Sequence, residues 1–208
     1  MDFSPLARLR LRWRRLHSPL PPSVVSTRWL DRLFQLGEVM SIFDAYEKVS
    51  NSLCSGVRPL NPEEVDLLYP VFGESIPYHR IRLHERAHIG PRRHGIAYVS
   101  FFTINSWGKL SPPVLVHEVM HVWQYVHRGA LYIPRALAAQ RTFSGYNYGG
   151  LPGLRRATGL DSFNYEQMAA VIEDGYRLAN GYPLRFLHEA GTEAENYYNR
   201  FNAELRQV

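Results

Sequence analysis

Between residues 111 and 128 the chain is apolar on nearly every side of a helix, yet it carries two histidines and a glutamate. Ser111 precedes Pro112 and Pro113, a helix-start signal because proline lacks only an amide that has no partner in a first turn. Val114, Leu115, Val116, Val119, Met120 and Val122 then cover most of the surface, with Trp123 and Val126 beyond them. Such a helix is expected to be buried, and the rest of the fold must accommodate His117, Glu118 and His121 inside it. Two imidazoles and a carboxylate among valines, left uncompensated, would cost several kcal/mol.

These residues form the pattern H-E-x-x-H. Positions i and i+4 rise by about 6 Å on one helix face, so both imidazoles can reach one Zn²⁺ with bonds of about 2.0 to 2.1 Å. Glu118 stands where a carboxylate can take a proton from water, as a general base. At this composition an accidental match is expected about 0.02 times per chain, which makes accident a poor explanation.

A catalytic zinc needs a third protein ligand and an open position. His127 completes the longer spacing of the metzincins, except that Gln124 stands where those enzymes have a helix-breaking glycine. If the helix continues, His127 lies about 9 Å along the axis from His121 and about 120° away around it. Glu166, in a later helix with the small Ala169 and Ala170 one turn on, is the preferred third ligand, as in gluzincins. His127, or another residue such as His188, stands as the alternative.

The remaining pattern predicts an α+β domain. Apolar residues at helical spacing, among them Leu30, Leu33, Phe34, Met40, Phe43 and Tyr46, predict one amphipathic helix from residue 26 to about 50, its apolar face in the core. Asn61-Pro62-Glu63-Glu64 opens a short helix expected to end before Pro70. Residues 79–84 and 96–104 read as two strands, 143–160 as a long loop, and 161–178 and 193–205 as helices. His79, His84, His88 and His94 fit a solvated strand-turn surface better than a second metal site. Tyr146, Tyr148 and Tyr176 are candidates for an oxyanion-stabilising hydroxyl, with none preferred.

The formal charge of +5 resides at the start of the chain, where residues 1–30 hold six arginines against Asp2. Pro19, Pro21 and Pro22 separate this stretch from the rest of the chain, so residues 1–25 are expected to be a flexible basic leader and 26–208 the folded domain. The leader has no apolar h-region or small-residue cleavage site, so it does not read as a Sec signal peptide, and the chain is expected in the cytoplasm as synthesised. Its acid-poor composition resembles a mitochondrial transit peptide less than a solvated tail. No run of apolar residues is long enough to span a membrane. Cys54, the single cysteine, can form no internal disulfide. With the body neutral and the leader poor in aromatic rings, nucleic acid is not expected as a partner.

Leu115 to Gln124, reading LVHEVMHVWQ, together with Tyr146-Asn147-Tyr148 and Phe163-Asn164-Tyr165-Glu166-Gln167, resembles the metallopeptidase domains attached to VgrG-type and Rhs-type proteins of bacterial type VI secretion. The stretch from Leu60 through Phe72-Gly73 to the helix is similar to the core domain of extracellular contractile injection systems. The resemblance implies a zincin-like metallopeptidase, zinc on His117, His121 and Glu166, and Glu118 as base. It also implies toxic peptidase activity on delivery by a contractile injection machine, with a spike or immunity protein as partner.

The expected domain is thus a small sheet, a buried zinc helix and a helical C-terminal half, hydrolysing a peptide or protein laid along the edge strand of residues 96–104. A non-catalytic, zinc-stabilised component of such a system is the alternative.

Overall fold

The computed structural model describes residues 4–18, 28–88, 92, 96–187 and 191–207. Three helices come first, α1 (Pro5–His17), α2 (Arg28–Val39) and α3 (Ile42–Leu53). Strand β1 (Val57–Pro59), α4 (Pro62–Phe72), β2 (Arg82–His84), β3 (Tyr98–Ser100) and β4 (Thr103–Asn105) come next. The C-terminal half is helical: α5 (Pro112–Arg128), α6 (Tyr132–Gln140), α7 (Gly150–Arg156), α8 (Tyr165–Ala179) and α9 (Thr192–Arg206). The fold is α+β.

The sheet runs β1-β2-β4-β3, antiparallel at both edges and parallel between β2 and β4. Alternation along these short strands separates two faces. Leu83 and Ile104, paired across β2 and β4, enter the core shared with Val116, Val119 and Met120 of α5. Thr103 and Asn105 turn the other way, where Asn51 of α3 donates to the Thr103 hydroxyl at 3.0 Å. Strands β3 and β4 form a hairpin with Phe101 at φ 60, a backbone conformation that costs a non-glycine residue about 1–3 kcal/mol. Two amide donors of that turn are satisfied from outside, Phe101 by the Tyr132 hydroxyl at 3.2 Å and Phe102 by Glu47 at 2.7 Å. The Phe101 ring is buried against Phe43 and Tyr125. Beneath the sheet α5 runs unbroken to Gly129, whose φ of 81 suits glycine and whose N–H closes the last turn on the Tyr125 carbonyl. It packs along α8, where Ala169 and Ala170 are fully buried, and its Trp123 indole N–H donates to the Leu205 carbonyl of α9 at 3.2 Å.

Several expectations are corrected. Strand structure covers only part of residues 79–84, because Tyr78–Arg80 forms a 3-10 turn. Pro70 lies inside α4, near its end, and the Pro70 and Val71 carbonyls are taken by the Arg206 guanidinium. The segment 143–160 contains α7, and α6 lies in a stretch for which no helix was expected. The helix expected from 26 to 50 is two, turned at Ser41 with φ 57. Its apolar face reaches the core only in part: Phe34 and Phe43 pack against it, but Asp31, Gln35 and Glu38 are buried while Leu33, Met40 and Tyr46 are exposed.

The reason for that reversal lies in the expected flexible leader of residues 1–25, which is in fact a helix over its middle. Ser4 caps α1 by accepting the Ala7 amide, and one side of the helix points its arginines at carboxylates. Arg12 is buried between Asp44, Glu38 at 3.6 Å and the Tyr125 hydroxyl. Arg15 reaches Glu38 at 3.2 Å and donates to the Val126 carbonyl at 2.6 Å. Farther along α2, Asp31 pairs with the buried Arg135 of α6 at 3.0 Å. A guanidinium in such a setting must be paired, so the polar faces of α2 and α3 turn inward.

Replacing Arg12 by Ala takes the buried cation from between Glu38 and Asp44, leaving them Arg15 and Arg8 as partners, and is expected to lower stability by about 2 to 3 kcal/mol. Replacing the exposed Arg14 should change it by less than about 0.5 kcal/mol. Urea midpoints of the two variants, with unchanged denaturant slopes, measure the difference; equal midpoints would mean that α1 does not hold the body.

Candidate metal centre

His117 and His121 occupy successive turns of one face of α5, their rings 5.2 Å apart between centroids and nearly perpendicular. Facing them is the first turn of α8. That helix starts with a capping box, in which Asn164 accepts the Gln167 amide at 2.8 Å and Gln167 accepts the Asn164 amide at 3.1 Å. The box fixes the N-terminus two residues before Glu166 and directs its carboxylate at α5. Glu166 Oε2 lies 3.5 Å from Nε2 of His117 and 3.5 Å from Nε2 of His121. The three donor atoms all lie within 4.8 Å of one another, and no other group of three or more such donors occurs among the described residues.

These separations are informative. Tetrahedral bonds of about 2.05 Å place ligand atoms roughly 3.3 Å apart, close to the two distances from Glu166. Its Oε1 accepts from Gln140 Nε2 at 2.8 Å, whereas Oε2 is buried with no hydrogen-bond partner in a residue only 1 % exposed. A buried carboxylate oxygen left in this state costs more than most folds tolerate, and a cation between it and the two imidazoles would satisfy it.

The far sides of both rings are fixed. His121 Nδ1 lies 2.8 Å from Gln124 Oε1, and Gln124 Nε2 donates to the Tyr165 carbonyl at 2.8 Å. A carbonyl oxygen only accepts, so the amide orientation is determined and its oxygen must receive the proton on His121 Nδ1. His117 Nδ1 lies 3.1 Å from Glu173 Oε2. Glu173 is held in turn by Arg177 at 2.7 and 2.9 Å and by Arg185 at 3.1 Å. In the neutral state both imidazoles therefore carry their proton on Nδ1 and turn the Nε2 lone pair toward Glu166.

The electrostatics point the same way. Burial pushes the His117 pKa down, but the Glu166 and Glu173 carboxylates overcome it and raise it to about 10. His121 is raised too, with burial opposing and Glu166 prevailing. Burial pushes Glu166 up, yet His121 and His117 hold its carboxyl far below the usual range. Glu118, also buried, is raised by burial against the downward pull of the two histidines. Arg177 and Arg185 neutralise Glu173, but between Glu166 and the two Nε2 atoms protons on the imidazoles are the only positive charge the site's own groups supply.

His127 does not join the group. The helix has no break, and its Nε2 meets the Ser75 carbonyl at 2.8 Å while its ring lies against Trp123 at 4.4 Å. His188 and His94 lie outside the described residues. His79 and His88 are exposed, and His84 bonds Asn105 at 3.3 Å. Among the tyrosines, Tyr148 is committed to Asp174 and Tyr198, each at 2.7 Å, and Tyr176 stacks on Tyr182. Of the three candidates Tyr146 is the one beside the site, its ring 5.8 Å from that of His117 and its hydroxyl pushed up to about 12 by burial and then by Glu166 and Glu118, while Tyr132 stacks on His121 at 6.3 Å.

Sequence reasoning missed Glu173, Gln124 and Gln140 as supports. Glu173 had a signal, since it lies two helical turns beyond Glu166 on the same face. Comparison with protein-family models, with curated proteins and with solved structures finds no match to this chain.

Proposed function

We propose that this chain is a zinc-dependent peptide hydrolase of the gluzincin type, with His117, His121 and Glu166 as ligands and Glu118 as general base. The observation that carries this reading is the unpartnered Glu166 Oε2, buried opposite two Nε2 atoms whose rings are locked from behind. Zinc bound there would supply a Lewis acid that polarises a peptide carbonyl and acidifies water. Glu118 takes the proton from the attacking water and returns it to the departing amine, so that the C–N bond breaks as the new C–O bond forms. Its burial favours the protonated form, which suits a group that must both accept and release a proton. Strand β3 is an edge of the sheet, where an extended peptide would pair beside the Val99 carbonyl that accepts from the Tyr132 hydroxyl at 2.9 Å. The zincin identity, and delivery as a toxic effector of a contractile injection system with a spike or immunity partner, rest on the resemblance of the H-E-x-x-H and Asn164-Tyr165-Glu166 segments.

A second reading, zinc as a structural element only, draws on the burial of His117, Glu118, His121 and Glu166 alike. Peptide cleavage by zinc-loaded protein, abolished by a chelator and restored by zinc, decides for hydrolysis; zinc-loaded protein that cleaves no peptide library decides for structure.

Glu118→Gln is expected to keep about one zinc per chain while hydrolysis falls by roughly 10²- to 10⁴-fold; zinc lost together with activity would remove Glu118 from its role. Zinc titration should find binding greatly weakened in Glu166→Ala and unchanged in His127→Ala, and the opposite pattern would overturn the ligand set. For Glu173→Gln the loss expected is smaller, about 10- to 100-fold in zinc affinity, because it acts only by orienting His117.

A further inference from the structure

The N-terminal helices are built inside out. At its exposed positions α2 carries Trp29 (72 % exposed), Leu33 and Leu36, with Met40 (71 %) just past its end. Their spacing of four, three and four residues makes one continuous stripe. Helix α3 repeats it with Ile42, Tyr46, Val49 and Leu53, the last 80 % exposed. On α1, which packs against α2, Leu6, Leu9 and Trp13 also face outward.

The charges of the same helices are sorted as completely. Their carboxylates are Asp31, Glu38, Asp44 and Glu47, and each is buried or half-buried on an arginine, an amide or a hydroxyl. The charged side chains left exposed among the described residues, Arg10, Arg14 and Lys48, are all cationic. Monomeric proteins rarely expose large side chains in such number and contiguity without a partner. A second copy is a poor partner, because a two-fold contact sets the same face against itself, and that face offers Arg10, Arg14 and Lys48 no exposed carboxylate of these helices to pair with. Apolar stripes with Trp and Tyr, on helices whose exposed charges are all cationic, have instead the composition of helices that lie in the interface of an anionic bilayer. No helix of the described residues is long and apolar enough to cross one.

We propose that α1, α2 and α3 form a docking surface for an anionic lipid membrane, with the α2 and α3 stripes in the boundary between headgroups and acyl chains and the α1 arginines on lipid phosphates. This surface does not depend on the hydrolytic reading of the metal centre.

The test is co-sedimentation of the full chain with vesicles of equal parts phosphatidylcholine and phosphatidylglycerol, against pure phosphatidylcholine. The protein should pellet with the anionic vesicles, with tryptophan emission shifted to the blue. Leu33→Glu combined with Val49→Glu should weaken binding roughly tenfold or more. Arg10→Gln and Arg14→Gln should each weaken it roughly fivefold, and those two remain informative if the double variant misfolds. Failure to pellet with either vesicle overturns the proposal. So does pelleting that none of these substitutions alters, or a dimer in sedimentation velocity that the Leu33→Glu, Val49→Glu pair dissolves, which would assign the face to a second copy.

Discussion

The contact between α5 and α8 is the constraint on which the rest of the molecule depends. Two helices that carry His117, Glu118, His121, Glu166, Glu173 and Asp174 in their buried faces cannot pack by apolar burial alone. Close approach is possible because Ala169 and Ala170 remove bulk at the contact. Gln124 of α5 reaches the Tyr165 carbonyl of α8, and Glu173 of α8 reaches His117 of α5. The helices are thus joined by polar bonds from each to the other, and these also set the tautomers of both histidines. Removing any one leaves a buried partner unsatisfied, at a cost of about 1–3 kcal/mol.

The parts legible in the sequence were those that local geometry dictates. The helix from Pro112, the shared face of His117 and His121 and the lower rank of His127 rest on helix pitch and on the missing glycine at Gln124, whereas Glu166 was preferred by analogy with gluzincins and for the small Ala169 and Ala170 beside it. What lay beyond reach depended on contacts distant in the chain. Gln124 was read only for the backbone conformation it disfavours, and its role in orienting His121 needs the Tyr165 carbonyl, 41 residues away. The strand of residues 96–104 was over-long because its β-branched and aromatic content runs through the Phe101 turn, whose amides Tyr132 and Glu47 satisfy.

The N-terminal region shows a different limit. Helical periodicity in residues 28–53 was correct, but periodicity identifies two faces without saying which is inside. The usual assumption, apolar inward, held for Phe34 and Phe43 and failed for the rest, because Arg12 and Arg135 are buried, Arg15 is half-buried, and Asp31, Glu38 and Asp44 had to face them. For the same reason the count of basic residues in 1–25 misled: charges that looked solvated when summed along the chain are partly neutralised by ion pairs.

The Arg15 guanidinium meets the Val126 carbonyl 111 residues later in the chain, and Arg12 meets Tyr125 across 113. At a synthesis rate of about 5–20 residues per second, α1 leaves the ribosome some seconds before the helix that receives it exists. During that interval its arginines have only Glu38 and Asp44 to pair with, and its leucines and Trp13 are open to chaperones or to any nearby surface. A segment made well before its partner is therefore among the last to reach its final place, and the order of its encounters during translation is written into the separation of these contacts.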